Sequence, residues 1–286
     1  MLRKVSTHLV LIAALGIMAP VHALAQDSGA KEIIQKVVNN EIAADSGDHS
    51  HWMYKEKKKT PEKSTTKLVV ETRKANLSRL LEIDGRPPSA EQRASDESRR
   101  KQLISDPAEQ QKQAADRHSD GKKANDLLRM LPEGFLWSKV SEANGVGVFQ
   151  FKPNPNFNPP SREAQVFAAM AGTMTVDMGQ LRLKSLKGRL IRDVEFGWGI
   201  LGRLRKGGSF NIERAEVAPK EWEIVATHVH ISGRALLFKS IDQNEDDETS
   251  DYKRVPNSLS LEEAAALLKK DGAQEAKNRG PAPSRR

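Results

Sequence analysis

Alternation of apolar and polar residues across the 171–241 region constrains the fold of this chain more than any other sequence feature. Met174, Val176 and Met178 alternate with polar residues, and a period of two indicates a sheet with one apolar face. The turns between segments are too short for a crossover helix, so neighbouring segments are expected to pair as an antiparallel meander. Six strands are predicted: Ala171–Met178, Leu181–Leu186, Leu190–Phe196, Ser209–Val217, Trp222–Ile231 and Arg234–Ile241.

Segments outside this region are predicted to flank the sheet. Ala30–Ala44 has the apolar spacing of an amphipathic helix, with Glu41 placed off the apolar stripe. Asp48–Lys59 and Thr65–Lys74 are lysine-rich and predict a solvent-facing hairpin or charged edge strands. The acidic stretch Asp242–Asp251 predicts a loop.

The C-terminal part predicts one more strand and a helix. The strand is Tyr252–Val255, and Ser260 with Glu263 forms the start signal of a helix over Leu261–Lys270. Residues 271–286 predict a disordered basic tail.

Ser89–Leu131 differs from its surroundings because it is rich in charged residues of both signs. Helix-start signals at Ser89 and Asp106 predict exposed helices. We interpret this part as a helical insertion whose removal leaves the sheet domain folded. Basic residues here carry no interleaved aromatics and their charge is balanced, so nucleic acid is not a predicted partner.

Residues 1–25 have the parts of an export signal. Arg3 and Lys4 precede the apolar run Leu9–Met18, which is too short to span a bilayer, and Ala23–Ala25 matches a cleavage site. The predicted organisation is therefore a signal peptide over 1–25, a sheet domain over 26–270 and a tail, and the predicted location is the periplasm. The formal net charge of +8 suits peripheral contact with an anionic membrane surface, although a solubilising excess of lysine gives the same sum.

No catalytic motif was found, and neither enzymatic activity nor a cofactor is predicted. The 197–202 segment has the spacing G-x-G-x-x-G, but Gly207 and Gly208 would stop the helix that a dinucleotide site needs. We expect this segment to present Trp198 to the sheet or to a cavity mouth. The chain has no cysteine, which excludes disulfides and thiolate metal sites.

Two histidine pairs and one carboxylate pair are weaker candidates. His228 and His230 share one face of a predicted strand, and His49 and His51 form a similar pair. Such pairs supply two ligands to zinc or copper, or they are the solvent-facing side of an amphipathic strand. Asp193 and Glu195 have the spacing of a hydrolase pair, which is also common among surface carboxylates.

Several features together resemble the LolA-like family of periplasmic lipoprotein carriers and outer-membrane lipoprotein-sorting proteins. They are the export signal, the opening helix Lys31–Ala44, the 172–177 segment GTMTVD followed by Leu183, and Trp222 ahead of the 233–238 segment GRALLF. The resemblance covers about residues 31–255. It implies an α+β, mainly β fold: an open antiparallel half-barrel meander closed by one or more helices, with an apolar cavity for acyl chains. The Ser89–Leu131 insertion departs from a minimal carrier, and no functional residue of the family is transferred.

If the strand faces are as predicted, one concave apolar surface forms. Lipid or lipoprotein acyl chains are then the expected ligands, with envelope proteins as further possible partners. The alternatives are a core filled by the flanking helices, an interaction module that docks through the charged insertion, and a metal-binding protein. The candidate ligand-binding residues are Met174, Val176, Leu183, Val194, Phe196, Trp198, Phe210, Val229, Ile231 and Phe238.

Overall fold

A computed structural model describes residues 27–196, 202–235 and 239–278 of the chain. The export signal, the glycine-rich 197–201 segment with Trp198, Phe238 and the last eight residues lie outside the described residues. The described part is mainly β and is built on one large antiparallel sheet that does not close into a barrel. That class of fold confirms the coarse prediction.

Twelve strands of the described part belong to this sheet. Ten follow one another across it in the order β3-β2-β1-β12-β11-β10-β7-β6-β5-β4, and β8 and β9 form a side hairpin on β11. In chain order the strands are β1 (His51–Lys59), β2 (Ser64–Val70), β3 (Leu77–Ile83), β4 (Phe135–Ala143), β5 (Val146–Pro153), β6 (Met170–Asp177), β7 (Arg182–Leu190), β8 (Val194–Phe196), β9 (Gly202–Leu204), β10 (Ser209–Ala218), β11 (Glu221–Ala235) and β12 (Lys239–Val255).

Five helices accompany the sheet in the same described ranges: α1 (Ser28–Gly47), α2 (Ala90–Ser105), α3 (Pro107–Gly134), α4 (Arg162–Phe167) and α5 (Leu261–Asn278). None of them is long and apolar enough to cross a membrane. The side chains of Ser89 and Asp106 cap α2 and α3 as their sequence signals predict. No residue of α2 is buried, whereas α3 buries Leu131 and packs beside α1.

The predicted loop over Asp242–Asp251 is wrong, because these residues belong to the long strand β12. In the register between β12 and β1, Asp246 faces Lys59 and Glu248 faces Lys57. Cross-strand pairs of opposite charge stabilise a ladder, and here they allow a highly acidic strand to form. For the same reason β1 is an inner strand between β2 and β12 rather than an edge.

The predicted turns between Leu186 and Leu190 and between Ile231 and Arg234 are also wrong, because Gly188 and Gly233, which lie there, belong to β7 and β11. A Cβ atom at Gly188 would lie 2.3 Å from the ring of Phe210, and one at Gly233 would lie 2.4 Å from the carbonyl oxygen of Arg203. Both glycines therefore mark close approach within the sheet. As a result β7 pairs directly with β10, and the predicted meander strand Leu190–Phe196 is divided between β7 and β8.

The apolar interior consists of two clusters on opposite faces of the sheet. The larger cluster joins α1 to strands β4–β9 and includes Phe135 and Met174. The smaller cluster joins α5 to β1–β3 and includes Met53. Trp52 and Tyr54 alternate with Met53 and therefore lie on the opposite face of β1, together with Lys58. Lys58 pairs with Asp247, and Asp247 pairs with Thr227 of β11. This face of β1 is consequently the same face of the sheet that carries the larger cluster.

Candidate functional site

A cavity of about 1150 Å³ lies between the face of the sheet that carries the larger cluster and the helices α1, α3 and α4. This volume is slightly above the usual range of about 300–1,000 Å³ for small-molecule sites. Strands β7, β9, β10 and β11 form the floor, and α3 contributes one wall. The cavity thus depends on α3, which belongs to the part of the chain predicted to be a removable insertion.

The floor and the α3 wall are apolar over most of their extent. Aliphatic and aromatic side chains from the strands meet leucines from the helix, which gives a surface suited to hydrocarbon. The apolar lining residues are Leu127, Leu128, Leu131, Val166, Phe167, Met170, Leu183, Leu186, Leu204, Phe210, Ile212, Trp222, Ile224, Val229 and Ile231.

The predicted ligand-binding residues divide into three groups. Those lining the cavity are Leu183, Phe210, Val229 and Ile231. Those buried in the filled cluster are Met174, Val176 and Val194, with Phe196 packed against that cluster. Trp198 and Phe238 are outside the described residues.

The division follows position along the sheet. Met174 and Val176 lie on β6, in the cluster that includes Ile34 of α1. Phe210 and Val229 face each other on β10 and β11 and line the cavity, to which α1 contributes residues from Glu41 onward. Alternation in the sequence indicates which face a side chain takes, but it carries no information on which part of that face a helix covers.

One end of the cavity is polar because the sheet splits there. Pairing between β11 and β12 runs from Ala235↔Lys239 to Ala226↔Glu248 and no further. Beyond that point β11 remains paired with β10, and β12 remains paired with β1. Tyr252 donates a hydrogen bond across the split to the carbonyl of Ile224, at 3.1 Å.

A second bridge across the split is ionic. Arg254 on β12 reaches Glu221 on β11 at 2.5 Å, and its guanidinium lies over the ring of Trp52. Arg254 and Glu221 both line the cavity. The split is therefore held together by side chains rather than by the strand ladder.

A buried ion cluster joins α1 to the floor of the cavity. Glu41, whose side chain is 3% exposed, accepts hydrogen bonds from Arg182 Nε at 2.9 Å and Arg182 Nη2 at 3.1 Å. It also accepts from the backbone N–H of Leu183 at 2.7 Å and from Arg214. Burial alone would raise the pKa of Glu41, but the arginines and the backbone donor outweigh it and lower the pKa below its ordinary value.

The prediction that Glu41 lies off the apolar stripe of α1 is wrong. Glu41 follows Ile34 by seven residues and Val38 by three, and these positions are on the buried side of the helix. This spacing was the available signal. Arg182 gave no comparable signal, since it occupies an ordinary polar position of an alternating strand. Arg214 did, because it continues the apolar face of Phe210 and Ile212 on β10.

A separate group of carboxylates lies at the polar end. Glu223 lines the cavity, and burial together with the charges of Glu71 and Asp48 raises its pKa to about 7. Burial also raises the pKa of Glu71. This end of the cavity therefore brings several carboxyl groups together beside the arginines.

The histidine pairs lie far apart. His51 is opposite Val255 at one end of β12, whereas His228 is opposite Asp246, which itself faces Lys59. Eight residues of β1 separate these positions, or about 26 Å at the usual rise. His228 binds Asp246 at 2.8 Å, but no group of three metal-binding side chains occurs in the described ranges.

Asp193 and Glu195 are engaged by one arginine. Arg203 on β9 hydrogen-bonds Asp193 and lies 3.6 Å from Glu195. The backbone N–H of Lys206, and then Arg203, lower the pKa of Asp193. The arrangement fits an ion pair that joins β8 to β9, and a general acid would need the opposite shift of pKa.

Comparison with protein-family models, with curated proteins and with solved structures finds no match for this chain.

Proposed function

We propose that this protein is a periplasmic carrier or binder of lipid or lipoprotein acyl chains, with the open half-barrel fold of the LolA-like family. The apolar cavity of about 1150 Å³ is the observation that carries the proposal. Each methylene group transferred from water to such a surface contributes about 0.8 kcal/mol, so an acyl chain supplies enough free energy for stable binding. In this proposal the helices α2 and α3 are the helical insertion, and α3 closes the half-barrel over the ligand.

Two neighbouring residues allow a matched test of the cavity. Val229 faces the cavity, and His230 follows it on the opposite face of β11. We expect Val229→Trp to fill cavity space and weaken binding of a fluorescent fatty acid by tenfold or more, with a melting temperature close to that of the parent. His230→Trp adds the same side chain outside the cavity, so binding should be unchanged.

A buried position provides the contrasting result. Val194 is 5% exposed and belongs to the filled cluster, so Val194→Trp should overpack it and destabilise the protein by about 1–3 kcal/mol. If Val229→Trp is destabilised just as strongly and the parent protein binds no fatty acid, the carrier proposal fails. Native mass spectrometry of the mature protein gives an independent readout through copurified lipid.

The runner-up function is an interaction module that docks on envelope proteins. The charged, solvent-facing side of α2 favours it. Binding of an envelope protein that survives Val229→Trp but is lost when the exposed charges of α2 are reversed would support this alternative.

A further inference from the structure

Polar atoms without hydrogen-bond partners are concentrated at the polar end of the cavity. Among the described residues, Arg214 Nε, Glu221 Oε2 and Ser50 Oγ are buried and unpaired, and all three residues line the cavity. Trp52, which is 3% exposed, has its indole N–H beside the Glu223 carboxylate, with which it interacts. Buried polar groups are normally satisfied, so this concentration indicates where the polar part of a ligand binds.

The unpaired atoms include both a hydrogen-bond donor and a hydrogen-bond acceptor. Arg214 Nε is a donor and needs an acceptor, whereas Glu221 Oε2 is an acceptor and needs a donor. One Glu221 oxygen is already used by Arg254. Glu223 and Asp48, which make no ion pair among the described residues, add negative charge beside Glu221.

A ligand head group that carries only one sign of charge would pair either with Arg214 or with the carboxylates, and would leave the other group unsatisfied. A free carboxylate could accept from Arg214, but it would lie close to Glu221 and Glu223, and like charges at short range repel. An alkylammonium would suit the carboxylates and leave the Arg214 N–H unsatisfied. A quaternary ammonium has no N–H to donate to Glu221.

We infer that the ligand is a zwitterionic lipid whose phosphate binds Arg214 and whose primary ammonium binds Glu221 and Glu223. The acyl chain then lies along Phe210 and Val229 on the adjacent floor. This inference rests on the proposed acyl-chain cavity and adds the class of head group.

Four single-chain lipids with the same acyl chain separate the head groups. They carry phosphoethanolamine, phosphocholine, phosphoglycerol or a free carboxylate, and each displaces a fluorescent fatty acid from the full mature protein at pH 8. We expect phosphoethanolamine to bind about tenfold more tightly than the other three, because each charged hydrogen bond is worth roughly that factor.

Variants assign the preference to the polar end. Glu223→Gln should reduce the preference for phosphoethanolamine over phosphoglycerol severalfold, while Glu248→Gln, an exposed change on β12, should leave it intact. Arg214→Lys keeps the charge but removes Nε, and it should weaken all three phospholipids relative to the fatty acid. Circular dichroism reports whether each variant is folded.

The outcomes are distinguishable from failure of the carrier proposal. Equal affinity for the four lipids, or equal affinity for phosphocholine and phosphoethanolamine, overturns the head-group inference and leaves the acyl-chain cavity in place. Absence of binding by all four lipids and by the fluorescent fatty acid overturns both.

Discussion

Glu41 is a carboxylate on the buried side of α1, and two arginines from the sheet stabilise its ionised form. Arg182 and Arg214 both bind it, so replacing Glu41 leaves two guanidinium groups without their partner in a largely buried place. Loss of one partner from a buried ion pair is among the more costly single changes in a protein.

We expect Glu41→Gln to lower the free energy of unfolding by about 3–5 kcal/mol. Urea denaturation at pH 7 measures the change, and Glu32→Gln on the exposed side of α1 is the control. Because the pKa of Glu41 in the folded protein is below its ordinary value of 4.5, its contribution is present above about pH 4.5. It is lost as the pH falls through the folded pKa. A loss below 1 kcal/mol would mean that the cluster contributes little.

Glu223 has the opposite linkage. Its pKa is raised from 4.5 to about 7 by burial and by Glu71 and Asp48, so the folded state holds a proton that the unfolded state releases between these values. Stability therefore falls as the pH rises from about 4.5 to 7.

We expect Glu223→Gln to be more stable than the parent at pH 8 by about 1 kcal/mol, a modest value because water screens a half-buried group. The gain should disappear near pH 4.5. Thermal or urea denaturation at the two pH values tests this, with Glu32→Gln as the exposed control. A gain of equal size at both pH values would contradict the linkage. If Glu223 also binds the ligand head, this variant exchanges affinity for stability.

At the scale of elements, α2 covers the free edge of the sheet at β3. Asp96 accepts a hydrogen bond from the backbone N–H of Leu80 at 3.1 Å, and Arg100 donates one to the carbonyl of Ser78 at 2.7 Å. Asp96 and Arg100 are themselves paired at 2.6 Å. Side chains of a helix thus occupy backbone groups that an edge strand otherwise offers to another chain.

We expect Arg100→Ala to destabilise the protein by about 1–3 kcal/mol, because it removes the donor to the part-buried carbonyl of Ser78 and the arginine that is paired with Asp96. Exposure of the β3 edge should also increase aggregation on mild heating, as light scattering would record. Arg99→Ala is the matched control, since Arg99 is largely exposed and 3.9 Å from Asp96. Identical behaviour of the two variants would show that α2 is not needed at this edge.

Sequence periodicity predicted the strands and helices better than it predicted their partners. The antiparallel class, the caps of α2 and α3, and the inward face of Phe210 and Val229 follow from local spacing. The strand over Asp242–Asp251 did not, since its acidic residues are stabilised by lysines of β1 almost two hundred residues away in sequence. The polar end of the cavity was missed for the same reason, because Glu41, Arg214 and Glu223 meet only in the tertiary structure.

At the scale of the whole molecule, one continuous sheet buries opposite faces in its two halves. Strands β4–β9 pack on α1, while β1–β3 pack on α5 on the other side. The halves are joined through β12 and β11, whose ladder is complete over ten residue pairs and then splits at the polar end of the cavity. Side chains of α5 are absent from the cavity lining in the described ranges. The second half therefore supports the β12 side of the split without forming the apolar floor.

This architecture predicts that a destabilising substitution in the smaller cluster affects only the half of the sheet that contains it. Leu268 on α5 is fully buried there, so Leu268→Ala should destabilise its surroundings by about 2–5 kcal/mol. We expect faster amide hydrogen exchange in β1–β3 and α5, and unchanged exchange in β5–β7, because sub-global openings follow cooperative units. Lys269→Ala, an exposed change at the next position, should alter neither. Leu186→Ala in the larger cluster should give the reverse pattern. Faster exchange across all strands in Leu268→Ala would show instead that the two faces form one cooperative unit, and that the split between β11 and β12 is no boundary.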